Sequence, residues 1–173
     1  MGDRTVLSGI GKRTVEGPIV VNQLGLDGDE QADLTVHGGL SKAIYAYPAE
    51  HYPFWREQRL TLGLSTDLPY GTLGENLTLT GLLESMLYVG DTLCFPNCTL
   101  RVTQPREPCY KFNAVMGDPK AAKKMARSGF CGFYLAVESP GSIMAGQAFE
   151  VKPGQHQLPM MALFKTARAR SIG

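Results

Sequence analysis

Short apolar runs, β-branched or aromatic in character, recur along this 173-residue chain and are broken by turn residues about every eight to twelve positions. Its 20 glycines and 11 prolines are scattered rather than gathered into a linker or a low-complexity tract. Such a rhythm excludes a helical bundle and predicts a mainly β fold, a barrel or sandwich of many short strands. Strands are expected over residues 18–22, 43–47, 76–80, 92–95, 99–103, 132–138 and 147–152. No internal repeat interrupts the pattern.

Two segments lack strand alternation. Residues 49–59 carry Glu50, Trp55, Arg56, Glu57 and Arg59 behind Pro48, which suits a first helical turn, so a short helix is expected there. Residues 118–127 read as a second helix. Asp118 can accept from free amides, Pro119 sits at the first helical position, and Ala121, Ala122 and Met125 make a narrow apolar stripe. Gly129 would close it in the left-handed conformation. These are short helical inserts in a β-barrel-like domain spanning residues 1–159, with 160–173 as a short tail or partial helix.

Apolar residues make up 43% of the chain and charged residues 19%, enough to build one sizeable core. A net charge of +1 and a pI near 7.7 give no polyanion-binding surface over the whole chain, so nucleic acid is not expected as a partner. No apolar run reaches the length needed to span a bilayer, and Met1-Gly2-Asp3-Arg4-Thr5 lacks the layout of a signal peptide. A cytoplasmic protein is expected, with Cys94, Cys98, Cys109 and Cys131 as free thiols.

The densest chemistry lies in Gln104-Pro105-Arg106-Glu107-Pro108-Cys109-Tyr110-Lys111. Two prolines in four residues remove two backbone donors and stiffen the segment, which predicts a rigid loop at a strand end. Cys109 stands between Arg106 and Lys111, and neighbouring cations favour a thiolate, the form that attacks electrophiles and binds metals. By residue type alone a packed, inert cysteine is an equally good reading. Cys94 and Cys98 have the spacing of a zinc half-site, yet no second pair of ligands accompanies them, so packing at a hairpin is the better reading. Cys131, beside Phe130 and Phe133, reads as a core thiol.

His37-Gly38-Gly39 precedes Ser41 and Lys42, and glycine amides with a nearby cation can cradle an anion. The spacing is not that of a P-loop, and as an isolated feature the segment is equally a turn. Gly74-Glu75-Asn76 opens a strand, where Asn76 could bond a heterocycle edge or simply close a turn. His51 reads as a surface or packing histidine, and His156 carries no function. Residues 27–33 are acidic but lack the ligand alternation of a calcium loop and are expected to form an exposed, ordered loop.

Taken together and in order, these segments resemble the MOSC superfamily, the domain named for the C-terminal part of molybdenum cofactor sulfurase, in its YiiM-like branch. The matching text is Leu24 to Asp33, Val36-His37-Gly38-Gly39, Ala43 to Tyr52, Gly74-Glu75-Asn76-Leu77, Val89-Gly90-Asp91 and Gln104 to Lys111, covering roughly residues 5–152. The resemblance implies a MOSC-type β-barrel-like domain that binds molybdenum cofactor, with Cys109 as metal ligand and catalytic residue. It implies that His37, Gly38, Gly39, Lys42, Asn76, Arg106, Tyr110 and Lys111 line the cofactor pocket. Members of this branch are associated with reduction of N-hydroxylated compounds such as hydroxylaminopurines. They usually continue into a longer C-terminal helical region than this sequence shows.

A small-molecule substrate is therefore expected. Because no flavin, haem or iron–sulfur ligation set is recognisable, electrons are expected from a separate redox protein. The alternative is a non-enzymatic carrier holding cofactor, or sulfur as a persulfide, on Cys109.

Overall fold

A computed structural model describes residues 12–29, 39–155 and 157–170 of the chain. In chain order these form β1 (Ile19–Asn22), β2 (Gly25–Leu26), β3 (Ile44–Pro48), α1 (Tyr52–Thr61), β4 (Leu77–Leu79), β5 (Thr92–Cys94) and β6 (Thr99–Pro105). There follow α2 (Tyr110–Met116), α3 (Ala121–Ser128), β7 (Phe133–Ser139), β8 (Gly141–Ile143), β9 (Glu150–Lys152) and α4 (Met160–Arg170). The strands build a curled six-stranded sheet in the order β4-β3-β7-β6-β5-β9 and a small sheet β2-β1-β8. Every pairing is antiparallel except β3 with β4. The fold is mainly β and barrel-like with short helices, as the sequence predicts.

The centre of the large sheet is buried on both faces, and the period of two shows how. In β3, Ile44 and Ala46 join one core with Leu100 and Val102 of β6 and Phe133, Leu135 and Val137 of β7. Tyr45 and Tyr47 point the other way, into a second core with Trp55 of α1, Phe112 and Met116 of α2, and Ala121 and Met125 of α3. The first core is aliphatic with a few phenylalanines. The second is aromatic and carries hydroxyls, which must be satisfied where they are buried. Tyr47 Oη donates to the Phe130 carbonyl at 2.9 Å, Tyr45 Oη to the Cys131 carbonyl at 2.8 Å, and Trp55 Nε1 donates to Tyr47 Oη at 2.6 Å.

The seven expected strands are all present, and β2 and β8, of two and three residues, were too short to leave a pattern. The helix expected at 49–59 is a 3-10 turn over Ala49–His51 running into α1. In α3, Gly129 ends the helix as expected at φ 75°, but the start is later than expected: the helix begins at Ala121, and Pro119 lies in the turn before it. Asp118 Oδ1 accepts from the Lys120 amide at 2.8 Å within that turn, because Asn113 of α2 takes the Ala122 amide of the first helical turn. The C-terminal segment forms the eleven-residue α4, with Met160 and Phe164 buried in the two cores.

Gly132 shows how tightly the two layers meet. At φ 68° its absent Cβ would lie 2.5 Å from the Ala46 carbonyl oxygen and 2.7 Å from the Tyr45 ring. Gly81 has a similar φ of 78° with nothing within 4 Å. Gly81→Ala is expected to cost about 1–2 kcal/mol, the left-handed penalty alone. Gly132→Ala should add about 1–3 kcal/mol of overpacking to it. Equal urea midpoints for the two variants would show that the close approach carries no cost.

Candidate functional site

Strand β6 ends by pairing Gln104 with Tyr134 and Pro105 with Phe133, after a register shift between Val102 and Gln104. The loop expected over 104–111 is therefore shorter: Gln104 and Pro105 belong to the ladder, and Tyr110 and Lys111 begin α2, a helix the proline-rich sequence concealed. Pro105 is tolerated in the ladder beside an irregularity, where prolines in sheets are confined. Cys109 takes extended backbone, φ −128° and ψ 148°, and is the residue that opens α2. Its half-buried Sγ accepts from the Lys111 amide at 3.4 Å. Phe112 and Met116 anchor α2 inward, while Tyr110, 72% exposed, points to solvent.

Arg106 is the surprise in this loop. The residue is 6% exposed, its side chain not directed to water. One terminal nitrogen donates to Tyr45 Oη and to the Leu73 carbonyl, both at 3.1 Å. The cation lies 4.8 Å from the Tyr45 ring centroid and 5.4 Å from that of Phe112, within range of a cation–π attraction. Its backbone amide donates to the Gly132 carbonyl at 3.2 Å. Among the described residues neither Arg106 nor Lys111 is ion-paired with a carboxylate. A buried cation without a paired anion is costly, and an anionic ligand would offset that cost.

Tyr134 completes the group. It pairs with Tyr45 across β3 and β7, their rings 5.4 Å apart, and its phenol interacts with Arg106 in the field of Cys109. Lys42 Nζ stands 5.6 Å from the Tyr134 ring centroid. Lys42 closes a 3-10 turn that begins after Gly39, a glycine at φ 92°, and Ser41 in that turn accepts through its carbonyl from Thr103 Oγ1 at 2.6 Å. The structure thus brings Lys42, Arg106 and Cys109 around two tyrosines, Tyr45 and Tyr134. Sequence reasoning missed both. Their only signal was inward alternation in strands that read as continuously apolar. His37 and Gly38 lie outside the described residues, as do residues 30–33 and His156.

Asn76 is not brought into this group: it touches Tyr45 at the backbone, and the cavity it lines is bordered by none of Cys109, Arg106 and Lys42. Its Oδ1 accepts from the Tyr45 amide at 2.8 Å, and its Nδ2 donates to Asp29 Oδ2 at 2.7 Å. Asp29 is ion-paired with Lys12 at 2.8 Å and is therefore held, not exposed. These residues, with Glu75 and Tyr70, line a cavity of about 570 Å³. Buried Glu75 accepts at Oε1 from the Tyr52 hydroxyl, the Gly71 amide at 2.9 Å and the Thr78 hydroxyl at 3.0 Å, which fixes the 71–78 connection. His51, buried and stacked on Phe130, meets Glu84 Oε2 at 2.7 Å, and Glu84 Oε1 accepts from the Gly132 amide at 2.7 Å. That pair locks the segment behind Arg106 and needs no catalytic role.

Among the described residues no three His, Cys, Asp or Glu side chains converge on one point as ligands for a bare metal ion. The chemistry available is one accessible soft sulfur with cations around it. A metal held here would bring further ligands from its own cofactor, and the cations suit a phosphate.

The MOSC domain family model matches residues 33–150. Protein YflK of Bacillus subtilis (strain 168), itself uncharacterized, is 37% identical over 148 residues, 86% of this chain and 65% of its own length. Protein YiiM of Escherichia coli (strain K12) is 38% identical over 144 residues, 83% of this chain and 63% of its own. The crystal structure of Escherichia coli YiiM superposes with a TM-score of 0.78 at 29% identity, covering 92% of this chain and 74% of that one. A protein named reductase from Gibberella moniliformis (strain M3125 / FGSC 7600) is 32% identical over 169 residues, 96% of this chain and 30% of its own. The chain spans a little under two thirds of the length of the two bacterial relatives. Among the described residues no helix is long and apolar enough to cross a membrane.

The tyrosine layer makes an alkaline prediction. Burial pushes the phenols of Tyr45, Tyr47, Tyr52 and Tyr134 above their ordinary value of 10.0, in Tyr45 and Tyr134 against the opposing pull of Arg106. The folded state keeps these protons after the unfolded chain has lost them, so their contribution is intact below about pH 10 and is lost as pH rises further. Phenolate absorbance from these four should rise together with unfolding. Their ionisation within a still-folded protein would contradict the burial argument.

Proposed function

Because this chain belongs to the MOSC domain family, we propose that it binds molybdenum cofactor through Cys109 and reduces N-hydroxylated compounds of the hydroxylaminopurine type. The observation that carries the reading is the half-buried Cys109 thiol beside a buried Arg106 that has no carboxylate partner among the described residues. The name reductase on one relative supports the class of reaction.

The residues present fit the cofactor. Cys109 offers the soft sulfur that molybdenum accepts, and Arg106, Lys42 and Lys111 offer positive charge for the phosphate. When bound, the cofactor supplies the two-electron redox change that the chain's own side chains lack. The net reaction is R–NHOH plus two electrons and two protons giving R–NH2 and water. Arg106 keeps its charge at any ordinary pH and so holds an anionic group without exchanging protons with it. The Tyr134 phenol, kept protonated by burial, holds a proton at Oη for the departing oxygen. Tyr45 fixes the guanidinium, and the helix-covered face behind it excludes water.

Protein made in a host that synthesises the cofactor should contain near-stoichiometric molybdenum, and Cys109→Ser should lose most of it while keeping its melting temperature. Tyr134→Phe should retain molybdenum but lower turnover of hydroxylaminopurine by about 10²-fold or more. Undiminished molybdenum in Cys109→Ser, read by mass spectrometry of the metal, would remove the proposed ligand. A persulfide on Cys109 that transfers to an acceptor, without reduction of the purine, would replace the enzyme by a sulfur carrier.

A further inference from the structure

The near-neutral net charge conceals a strong asymmetry. Residues 106–173 carry ten lysines and arginines against four acidic residues, whereas residues 1–105 carry seven against twelve. Much of the positive half lies on α3 and α4. On α3 and the turn before it, Lys120, Lys123 and Arg127 are exposed at spacings of three and four, which places them on one face. Among the described residues none of the three is ion-paired, while their neighbour Lys124 is held by Asp118 at 2.7 Å. The apolar residues of the same helix, Ala121 and Met125, turn inward. Lys165 on α4 is also exposed, one turn beyond Met161, whose methyl packs at Gly129 directly after α3.

This face is tied to the site at both ends. The amide of Ala122 donates to Asn113 of α2 at 2.8 Å, and Cys109 opens α2. At its far end α3 leads through Gly129 to Gly132, whose carbonyl accepts from Arg106. The stripe from Lys120 to Arg127 is about 10 Å long at the rise of an α-helix. Beside Cys109 stands Tyr110, an aromatic 72% exposed. Exposed aromatic residues and arginine are enriched in protein-binding patches.

We propose that the outer face of the α2–α3 hairpin, with Lys120, Lys123 and Arg127 as its charged stripe and Tyr110 at its site end, docks an acidic electron-donor protein. The inference rests on the reductase reading, which needs electrons from outside the chain. A nucleic acid fits less well, because the stripe is short and the other half of the chain is net acidic. The docked partner presents carboxylates to α3 and its redox group to the Cys109 end of the hairpin. Such complementarity raises the rate of encounter more than the final affinity, and salt screens it.

The test uses the whole cofactor-loaded chain and a flavodoxin as the acidic probe. In the K120E/K123E/R127E variant, affinity for flavodoxin should fall at least about tenfold at low ionic strength, with the difference shrinking as salt is added. Flavodoxin-driven reduction should fall in parallel, while reduction driven by a cationic viologen dye is unchanged. Unaltered flavodoxin binding in the variant, or none in the wild type, would overturn the proposal. Retention of a single-stranded oligonucleotide by the wild type and not by the variant would give the face to nucleic acid instead. Failure of viologen-driven reduction in the wild type would sink the reductase reading alone, and the binding comparison would still decide the docking face. Matching melting curves for the two proteins establish that the exposed substitutions leave the fold intact.

Discussion

Arg106, 6% exposed, places its guanidinium over the rings of Tyr45 and Phe112 and ties it to Tyr45 Oη and the Leu73 carbonyl. Each of those partners belongs to a different element: β3, the connection before β4, and α2. One buried cation therefore sets the distance between sheet, connection and helix at the point where Cys109 leaves the ladder. Its own amide reaches the Gly132 carbonyl, at a glycine that no other residue could replace without meeting Ala46 and Tyr45. A cation in such a place is costly unless hydrogen bonds, ring faces or an anion offset its desolvation.

The sheet serves this arrangement by dividing labour between its faces. The aliphatic side supplies apolar burial with few polar groups to satisfy. The helix-covered side accepts tyrosines, a tryptophan and the arginine because their polar groups find partners on the backbone or on neighbouring side chains. Away from the thiol, a hydrogen bond between His51 and Glu84 and an ion pair between Lys12 and Asp29 fasten segments together. Near the thiol, neither Arg106 nor Lys111 is ion-paired with a carboxylate among the described residues.

The same economy extends to the surface. Lys124 is spent on Asp118 at the start of α3, but Lys120, Lys123 and Arg127 are left facing out in a row. Charge gathered on one face and not spread over the whole surface steers a partner of opposite charge, since steering depends on where the field lies.

Sequence alone determined the strand-rich architecture, because β-branched and aromatic runs between turn residues leave a period that helices do not share. It also determined the family and the closing of α3 at Gly129. Tertiary structure decided what Arg106 does: adjacency in sequence suggested a cation near a thiol, but only packing shows it buried against Tyr45 and Phe112. It alone introduced Tyr45 and Tyr134, since strands buried on both faces read as uniformly apolar and hide which side chains point inward together. It alone showed α2, because the prolines that end one element before Cys109 say nothing about the next. The division has one cause. Local patterns record the backbone's repeat, while a site is made of side chains far apart in sequence whose meeting is fixed by strand register and by the desolvation of the groups between them.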